Sequence, residues 1–381
     1  MLPTHRRSWL QRFDWLLFGA ALLVVVFGLV TMYSFSGDQD YFAKQLISLG
    51  VAAFGCIVLT RVDTSIFHST RVIILVYGLS LLMLVLIFFF GATVKGSQSW
   101  FRFGGFSFQP SDIAKLALIL TLAKYFTRRH IEIRRIRHIF ISGMYAAIPC
   151  LLILAQPDFG SAVILAAIWF GMLLVSGISY KHVLAVVGVA AIAVGCMWIF
   201  VFQDYQKARI LTFIHPLADI RGAGYNAYQS MIAVGSGQWI GKGVGYGTQS
   251  RLQYLPEHQT DFIFASFAEE WGFVGVLLIL VLYGIIFWRI VLASLRGGST
   301  FETLLCLGVA VYIAAHVVIN IGMNIGLLPV TGVPLPFMSY GGSHMLAEFA
   351  ALGLVIATGN RAKLVSARTT RDQPELHFQR L

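Results

Sequence analysis

Long apolar segments, separated by short polar connections, run through almost the whole chain. A helix that crosses a bilayer needs about 20 apolar residues, and ten segments meet or approach that length. They lie near residues 15–35, 45–60, 72–91, 110–126, 139–155, 159–178, 182–202, 262–288, 303–326 and 340–360. The pattern predicts an all-α polytopic membrane protein with about ten transmembrane helices.

Composition supports the same class of protein. Of the 381 residues, 57% are hydrophobic and only 12% are charged, and the mean hydropathy is +0.77. A soluble domain carries about 25% charged residues, so this chain has too few polar side chains to cover a water-exposed surface. Soluble, disordered and collagen-like proteins are therefore excluded. The net charge of +11 is by itself compatible with a nucleic-acid partner or an anionic membrane.

The positions of the basic residues decide between these two explanations. If the N-terminus is cytoplasmic, 19 of the 28 Lys and Arg residues fall on the cytoplasmic side, as the positive-inside rule requires. This predicts ten spans with both chain ends in the cytoplasm, and no nucleic-acid partner. The predicted organisation is a cytoplasmic tail at 1–14, a transmembrane domain at 15–360 and a basic cytoplasmic tail at 361–381.

One outer connection, residues 204–260 between the seventh and eighth helices, is much longer than the others. Loops of this length in compact proteins are usually functional or disordered, and the many aromatic residues here argue against disorder. Tyr225, Tyr228, Met231 and Ile232 share one helical face, which predicts a helix lying in the headgroup plane. The alternate glycines of residues 241–247 allow tight turns and the close approach of a ligand.

Ionisable side chains within a bilayer are costly and mark functional sites. In the predicted topology they lie in the outer half of the membrane or at its outer rim. This one-sided polarity favours a cavity that receives an amphipathic lipid with a charged head over a transporter with a midplane site. The polar residues are Asp112, Lys115, Asp158, Asp261, Glu269, His316, Asn320, Asn324, Ser343, His344 and Glu348.

Each of these residues also has a structural alternative. Asp158 and Asp261 stand at helix starts, where a carboxylate caps free N–H groups. Asp112 and Lys115 have the spacing of an i,i+3 ion pair. Glu269 and Glu270 point about 100° apart, so one of them is expected to be a structural partner between helices. His316, and the His344 and Glu348 pair, are equally expected as packing residues.

Several separate motifs together resemble the SEDS family (shape, elongation, division and sporulation). They are Phe108-Gln-Pro-Ser111 with Lys115, Gln156-Pro-Asp158, residues 254–264, Ala268-Glu-Glu270 with Gly272, and residues 334–343. Within the family, residues 204–206, 222–225, 247–250 and 333–336 resemble the branch that acts in rod elongation rather than the division branch.

The resemblance implies a peptidoglycan glycosyltransferase. Such an enzyme joins lipid II disaccharide units into β-1,4 glycan strands on the outer face of the bacterial plasma membrane, during elongation and rod-shape maintenance. The implied partners are a class B penicillin-binding protein and other membrane proteins of the elongation machinery. A lipid II flippase and a non-enzymatic scaffold for the cross-linking transpeptidase remain alternatives.

The resemblance also maps the family's catalytic aspartate onto Asp261 and two important cavity positions onto Lys115 and Asp158. We expect Asp261 to act as general base, and Lys115, Lys242 and Arg251 to stabilise the departing diphosphate. Glu269, Asn320 and Ser343 are further predicted substrate-binding residues. No cofactor is required by the motifs, and a divalent cation (Mg²⁺ or Mn²⁺) at Asp158 is left open. Asp112 stands where the family usually has glutamate, and His344 and Glu348 are not general family features.

Overall fold

The computed structural model describes residues 13–35, 39–94, 97–103, 106–129, 136–200, 202, 204–215, 222 and 224–372. Most of the N-terminal tail and the last part of the C-terminal tail lie outside these residues. The helices are α1 (Trp15–Ser34), α2 (Gln39–Leu59), α3 (Thr70–Phe90), α4 (Pro110–Arg129), α5 (Ile136–Leu154), α6 (Phe159–Val175), α7 (Tyr180–Phe200), α8 (Asp204–Ile214), α9 (Tyr225–Ser236), α10 (Thr248–Arg251), α11 (Ile263–Leu295), α12 (Thr300–Asn324) and α13 (Gly342–Asp372). A 3₁₀ helix covers Thr64–His68.

Ten of these helices correspond to the ten predicted spans, so the predicted fold class is confirmed. Eight of them are long and apolar enough to cross a membrane. The other two are α4, which carries five charged side chains, and α6, which has 17 residues. Both pack against α12 inside the bundle. The last helix continues to Asp372, past the predicted end of the span at 360.

The centre of the bundle is formed by α1, α4, α6, α11, α12 and α13, whose apolar side chains make one continuous core. The last helix packs on α2, and α11 packs on α1 and α12. In contrast, α7 has no buried residue, so it lies at the outside of the bundle with most of its apolar side chains exposed. The buried surface is thus concentrated in the helices that carry the polar residues of the sequence motifs.

A small antiparallel sheet is the main feature that the all-α expectation missed. Its strands are β1 (Ala92–Val94), β2 (Ser97–Phe103) and β3 (Phe106–Phe108), in the order β1-β2-β3. The sequence signal was present, because aromatic residues flank Gly104-Gly105, a dipeptide typical of two-residue hairpins. The sheet leads directly into the first turn of α4.

Helix α11 is interrupted at Gly272, whose φ of 65° lies in the left-handed region. The interruption frees backbone groups that the outer loop then satisfies. Lys242 N and Gly243 N donate to the carbonyls of Glu269 and Glu270, while Phe273 N donates to Gln238 O. A Cβ on Gly241 would lie 2.1 Å from Glu270 O. Gly241 therefore allows the loop to approach α11 closely, and the positive φ of Gly241, Gly243 and Gly245 fits the predicted tight turns.

The predicted amphipathic helix in the outer loop is present as α9, but a different face makes its main contact. Ser230 and Ala233 are its buried residues, and the helix packs on α11 and α12. Ser230 Oγ donates to Asn324 O at 2.9 Å. Tyr225, Tyr228, Met231 and Ile232 are only half-buried. Small and hydroxyl side chains let α9 approach the bundle closely, and the sequence pattern of large apolar residues did not predict this.

Candidate active site

A cavity of about 830 Å³ opens between α2, the sheet, the N-termini of α4 and α6, helix α8 and the connections that flank α11 and α12. It brings together residues from distant parts of the sequence. Its charged and histidine side chains are Lys44, Arg102, Asp112, Lys115, Asp158, Glu257, Asp261 and His344. Three of the eight predicted site residues, Asp261, Lys115 and Asp158, therefore line one cavity.

Asp261 lies in the turn before α11 and is half-buried. Its carboxylate is beside Gly332, where a Cβ would lie 3.6 Å from Asp261 Oδ2. The N-cap of α11 is Phe262, so Asp261 does not cap this helix. The main chain of Asp261 is held from α12, because the side-chain amides of Asn320 and Asn324 donate to its carbonyl at 2.9 and 3.1 Å.

The residues before Asp261 are held by the connection between α12 and α13. Ser339 Oγ donates to Thr260 O at 2.7 Å, and Tyr340 N donates to Gln259 O at 2.9 Å. Asn320 Nδ2 also donates to Val333 O at 2.7 Å, which ties both connections to one side chain. Asn320, which the sequence predicts to bind substrate, thus lies behind the cavity and holds the main chain of Asp261.

Lys115 and Asp112 form the predicted ion pair, with Lys115 Nζ 3.0 Å from Asp112 Oδ1. Both side chains are about 98% buried by side-chain surface, yet both line the cavity. Ser343 Oγ donates to Asp112 Oδ2 at 3.0 Å, and His344 Nδ1 lies 3.3 Å from Asp112 Oδ1. Ser343, predicted to bind substrate, therefore contacts Asp112 and is not among the residues found to line the cavity.

Asp158 is the N-cap of α6, and its Oδ1 accepts from Ser161 N at 3.0 Å. Its Oδ2 accepts from Gln109 Nε2 at 2.9 Å. The capping alternative is therefore confirmed, and the same carboxylate also faces the cavity. The cap fixes the carboxylate against the positive end of the α6 dipole.

Two further cations, which the sequence motifs do not indicate, line the cavity as well. Lys44 is an exposed residue near the start of α2, and Arg102 is an exposed residue of β2. Arg102 is paired across the sheet with Ser107. The glycine pair between β2 and β3 could have indicated that Arg102 is held on a hairpin, but nothing local indicates that this hairpin reaches the cavity.

Lys242, Arg251 and Glu269, which the sequence predicts to bind substrate, lie in a part of the structure separate from the cavity. Glu269 is fully buried, and its Oε1 accepts from Lys242 Nζ at 2.7 Å and from Thr248 N at 2.9 Å. Arg251 Nη1 contacts Gly245 O at 3.5 Å. Within the described part of the chain, the wall of the cavity includes none of these three. A buried carboxylate needs a cation and several N–H donors, and the 242–249 segment supplies them.

Comparison with known proteins places this geometry in a family. Residues 14–363 match the cell cycle protein family of FtsW, RodA and SpoVE. The chain belongs to this family. It is 35% identical to peptidoglycan glycosyltransferase MrdB of Escherichia coli, over 91% of this chain and 93% of that protein. It is also 35% identical to stage V sporulation protein E of Bacillus subtilis, over 90% and 96% of the two chains.

Two solved structures have the same fold as this chain. A chain of a peptidoglycan synthase complex that coordinates polymerization and crosslinking aligns with a TM-score of 0.80 at 30% identity, over 92% of this chain and 98% of that chain. RodA of Thermus thermophilus aligns with a TM-score of 0.69 at 29% identity, over 91% and 96% of the two chains. The predicted family and membrane fold are therefore confirmed.

Proposed function

We propose that this membrane protein polymerises lipid II, and that Asp261 is its general base. The predicted peptidoglycan glycosyltransferase activity is confirmed by the relatives that carry this name. The observation that carries our assignment of the site is the cavity itself. Its lining includes the Asp261 carboxylate together with the cations Lys44, Arg102 and Lys115. A base and a group of cations are what glycosyl transfer from a lipid diphosphate requires.

The reaction forms one C–O bond and breaks another. The 4-hydroxyl oxygen of the acceptor GlcNAc attacks the anomeric carbon of the donor MurNAc, and the bond from that carbon to the lipid diphosphate breaks. The electron pair leaves on the diphosphate oxygen, and the hydroxyl proton goes to Asp261. An α-linked donor that yields a β-1,4 product requires inversion. General-base assistance contributes about 10²–10⁴-fold to the rate.

The cations act on the other end of the reacting bond. Negative charge develops on the diphosphate beside hydrocarbon, where an unpaired charge is very costly. Lys115 is buried on α4 beside Asp112, whereas Lys44 and Arg102 are exposed at the cavity wall. We assign Lys115 to transition-state stabilisation, and Lys44 and Arg102 to capture of the lipid headgroup.

A divalent cation is a further part of the proposal, assigned to Asp158. Among the described residues, no group of three or more His, Cys, Asp or Glu side chains could hold a metal. A single carboxylate, that of Asp158, fits Mg²⁺ or Mn²⁺ when most of the other ligands are phosphate oxygens and water, as is usual for Mg²⁺. Asp158 would be the protein ligand, and the ion would supply additional charge neutralisation of the diphosphate.

We further propose that the cavity faces the outer side of the bacterial plasma membrane, with residues 1–14 and 361–381 in the cytoplasm. The basic-residue asymmetry and the even number of spans support this orientation. The partner is a class B penicillin-binding protein, by similarity to the synthase complex described above. Resemblance to the rod-elongation branch supports a role in elongation, together with membrane proteins of that machinery.

The test is a lipid II polymerisation assay in detergent, with the purified chain and the class B penicillin-binding protein of the same organism. Wild type should make glycan polymer, and Asp261→Ala and Asp261→Asn should make none while folding normally. Asp63→Ala, which removes a carboxylate before the 3₁₀ helix that follows α2, is the matched control and should remain active. Polymer formed in detergent distinguishes a polymerase from a flippase, because flipping needs a bilayer and polymerisation does not. Normal synthesis by Asp261→Asn would show that Asp261 is not the general base.

A further inference from the structure

Four buried ionisable side chains form a continuous chain that starts at the cavity and continues into α13. Lys115 Nζ lies 3.0 Å from Asp112 Oδ1, and the same oxygen lies 3.3 Å from His344 Nδ1. His344 Nε2 lies 2.8 Å from Glu348 Oε1. The first three residues line the cavity, while Glu348 lies one helical turn beyond it and is 1% exposed.

The contacts determine the charge of this chain. Each ring nitrogen of His344 lies close to a carboxylate oxygen, although only the Nδ1 contact to Asp112 has hydrogen-bond geometry. The imidazolium form places one positive charge between these two carboxylates. The charges then alternate from Lys115 to Glu348 and cancel. Removal of one member leaves an uncompensated buried charge, which is far more costly than removal of a pair.

Two hydrogen-bond donors outside this chain hold its carboxylates. Ser343 Oγ donates to Asp112 Oδ2 at 3.0 Å, and Phe337 N donates to Glu348 Oε2 at 2.8 Å. From α12, the His316 ring lies 4.8 Å from the His344 ring, while His316 Nδ1 contacts Pro334 O at 3.2 Å. The Asp112 carboxylate is thus held by side chains of both α4 and α13.

We propose that His344 and Glu348 are positioning residues for glycosyl transfer, which act through Asp112 to place the Lys115 ammonium in the cavity wall. Lysine is a point charge on a flexible four-carbon stem, so the anchor on its Nζ determines where the charge points. Asp112 is that anchor, and its Oδ1 is shared by Lys115 and His344. This inference rests on the proposed function, in which Lys115 stabilises the leaving diphosphate.

The experiment measures kcat and KM for lipid II, per folded molecule, with the full chain and its penicillin-binding partner. His344→Ala should lower kcat about 10- to 100-fold. This is the rate change expected when one charge-assisted hydrogen bond is lost from the transition state. KM should change much less, because the lost interaction acts in the transition state. The double variant His344→Ala/Glu348→Ala removes one positive and one negative charge, so it should fold normally and still have a low kcat.

Two further variants separate positioning from packing. His138→Ala removes another buried histidine, which contacts Tyr125 Oη at 2.8 Å far from the cavity wall, and should leave kcat per folded molecule unchanged. Asp112→Glu added to the double variant should raise kcat, because the longer carboxylate occupies the space of the lost imidazole. Wild-type kcat in the double variant would overturn the positioning role. Absence of polymer from wild type would overturn the proposed function instead.

Discussion

The side-chain amide of Asn320 donates a hydrogen bond of 2.9 Å to the main-chain carbonyl of Asp261. The same nitrogen donates to Val333 O at 2.7 Å, so one buried side chain of α12 joins the two connections that border the cavity. The position of the proposed base therefore depends on a residue that does not line the cavity. Mutation of a buried residue that holds a cavity residue should therefore affect catalysis as well as stability.

Asn320→Ala should reduce both stability and turnover. It removes the side-chain donor of Val333 O and leaves Asp261 O with the donor from Asn324 alone, at a cost of about 1–3 kcal/mol in the free energy of unfolding. Because Asp261 moves, kcat should fall more than KM rises in the lipid II assay. Thr358→Ala is the matched control, since Thr358 is equally buried in α13 but contacts Val355 O and Cys306. An unchanged kcat in Asn320→Ala would contradict this positioning.

Lys115→Ala should lower the rate of polymerisation about 10²–10³-fold, as expected for loss of one preorganised charge at the developing negative charge. The rate is measured at saturating lipid II. Lys124→Ala, on the same helix but remote from the cavity wall, controls for loss of a partly buried lysine. Full activity of Lys115→Ala would show that Lys115 does not stabilise the transition state.

Chelation should stop polymerisation if Asp158 holds a divalent cation. EDTA should abolish product formation, and added Mg²⁺ or Mn²⁺ should restore it. Asp158→Asn keeps an N-cap of similar quality but loses the negative charge, so it should require a higher cation concentration for half-maximal rate. Undiminished synthesis in EDTA would contradict the cation assignment.

Gly272→Ala should destabilise the protein by about 1–3 kcal/mol or more, because its φ of 65° is strained for alanine. The new Cβ would also lie 2.2 Å from Gly241 N. Thermal unfolding in detergent measures the effect. Gly284→Ala, on the same helix with nothing within 4 Å of its Cβ, should be neutral or stabilising. Equal melting temperatures for the two variants would contradict the close approach.

Lys242→Met should affect stability but not chemistry. It removes the cation from the fully buried Glu269, while Lys242 itself is 29% exposed, so the cost should be about 1–2 kcal/mol. The polymerisation rate per folded molecule should equal that of wild type. Lys181→Met, at the exposed start of α7, should change neither quantity. A lower rate per folded molecule in Lys242→Met would contradict this prediction and indicate that Lys242 contacts the substrate.

The ten helices and their membrane character can be predicted from the apolar pattern, because a bilayer demands long apolar segments whose backbone groups are satisfied within each helix. The sequence also indicates which ionisable residues need an explanation, since charge inside such helices is rare and costly. Asp261, Lys115 and Asp158 were found in this way, together with the motifs that resemble a known family. These are local properties, readable from composition and spacing.

Which polar residues share a cavity, and which hold the protein together, depends on the packing of the helices. Lys242 and Glu269 belong to different segments, and their pairing depends on the interruption of α11 at Gly272. Arg102 reaches the cavity because of a hairpin, and His344 bridges α4 and α13. A side chain acquires these partners through contacts between residues far apart in the chain, and the local pattern of apolar and polar positions does not encode such contacts.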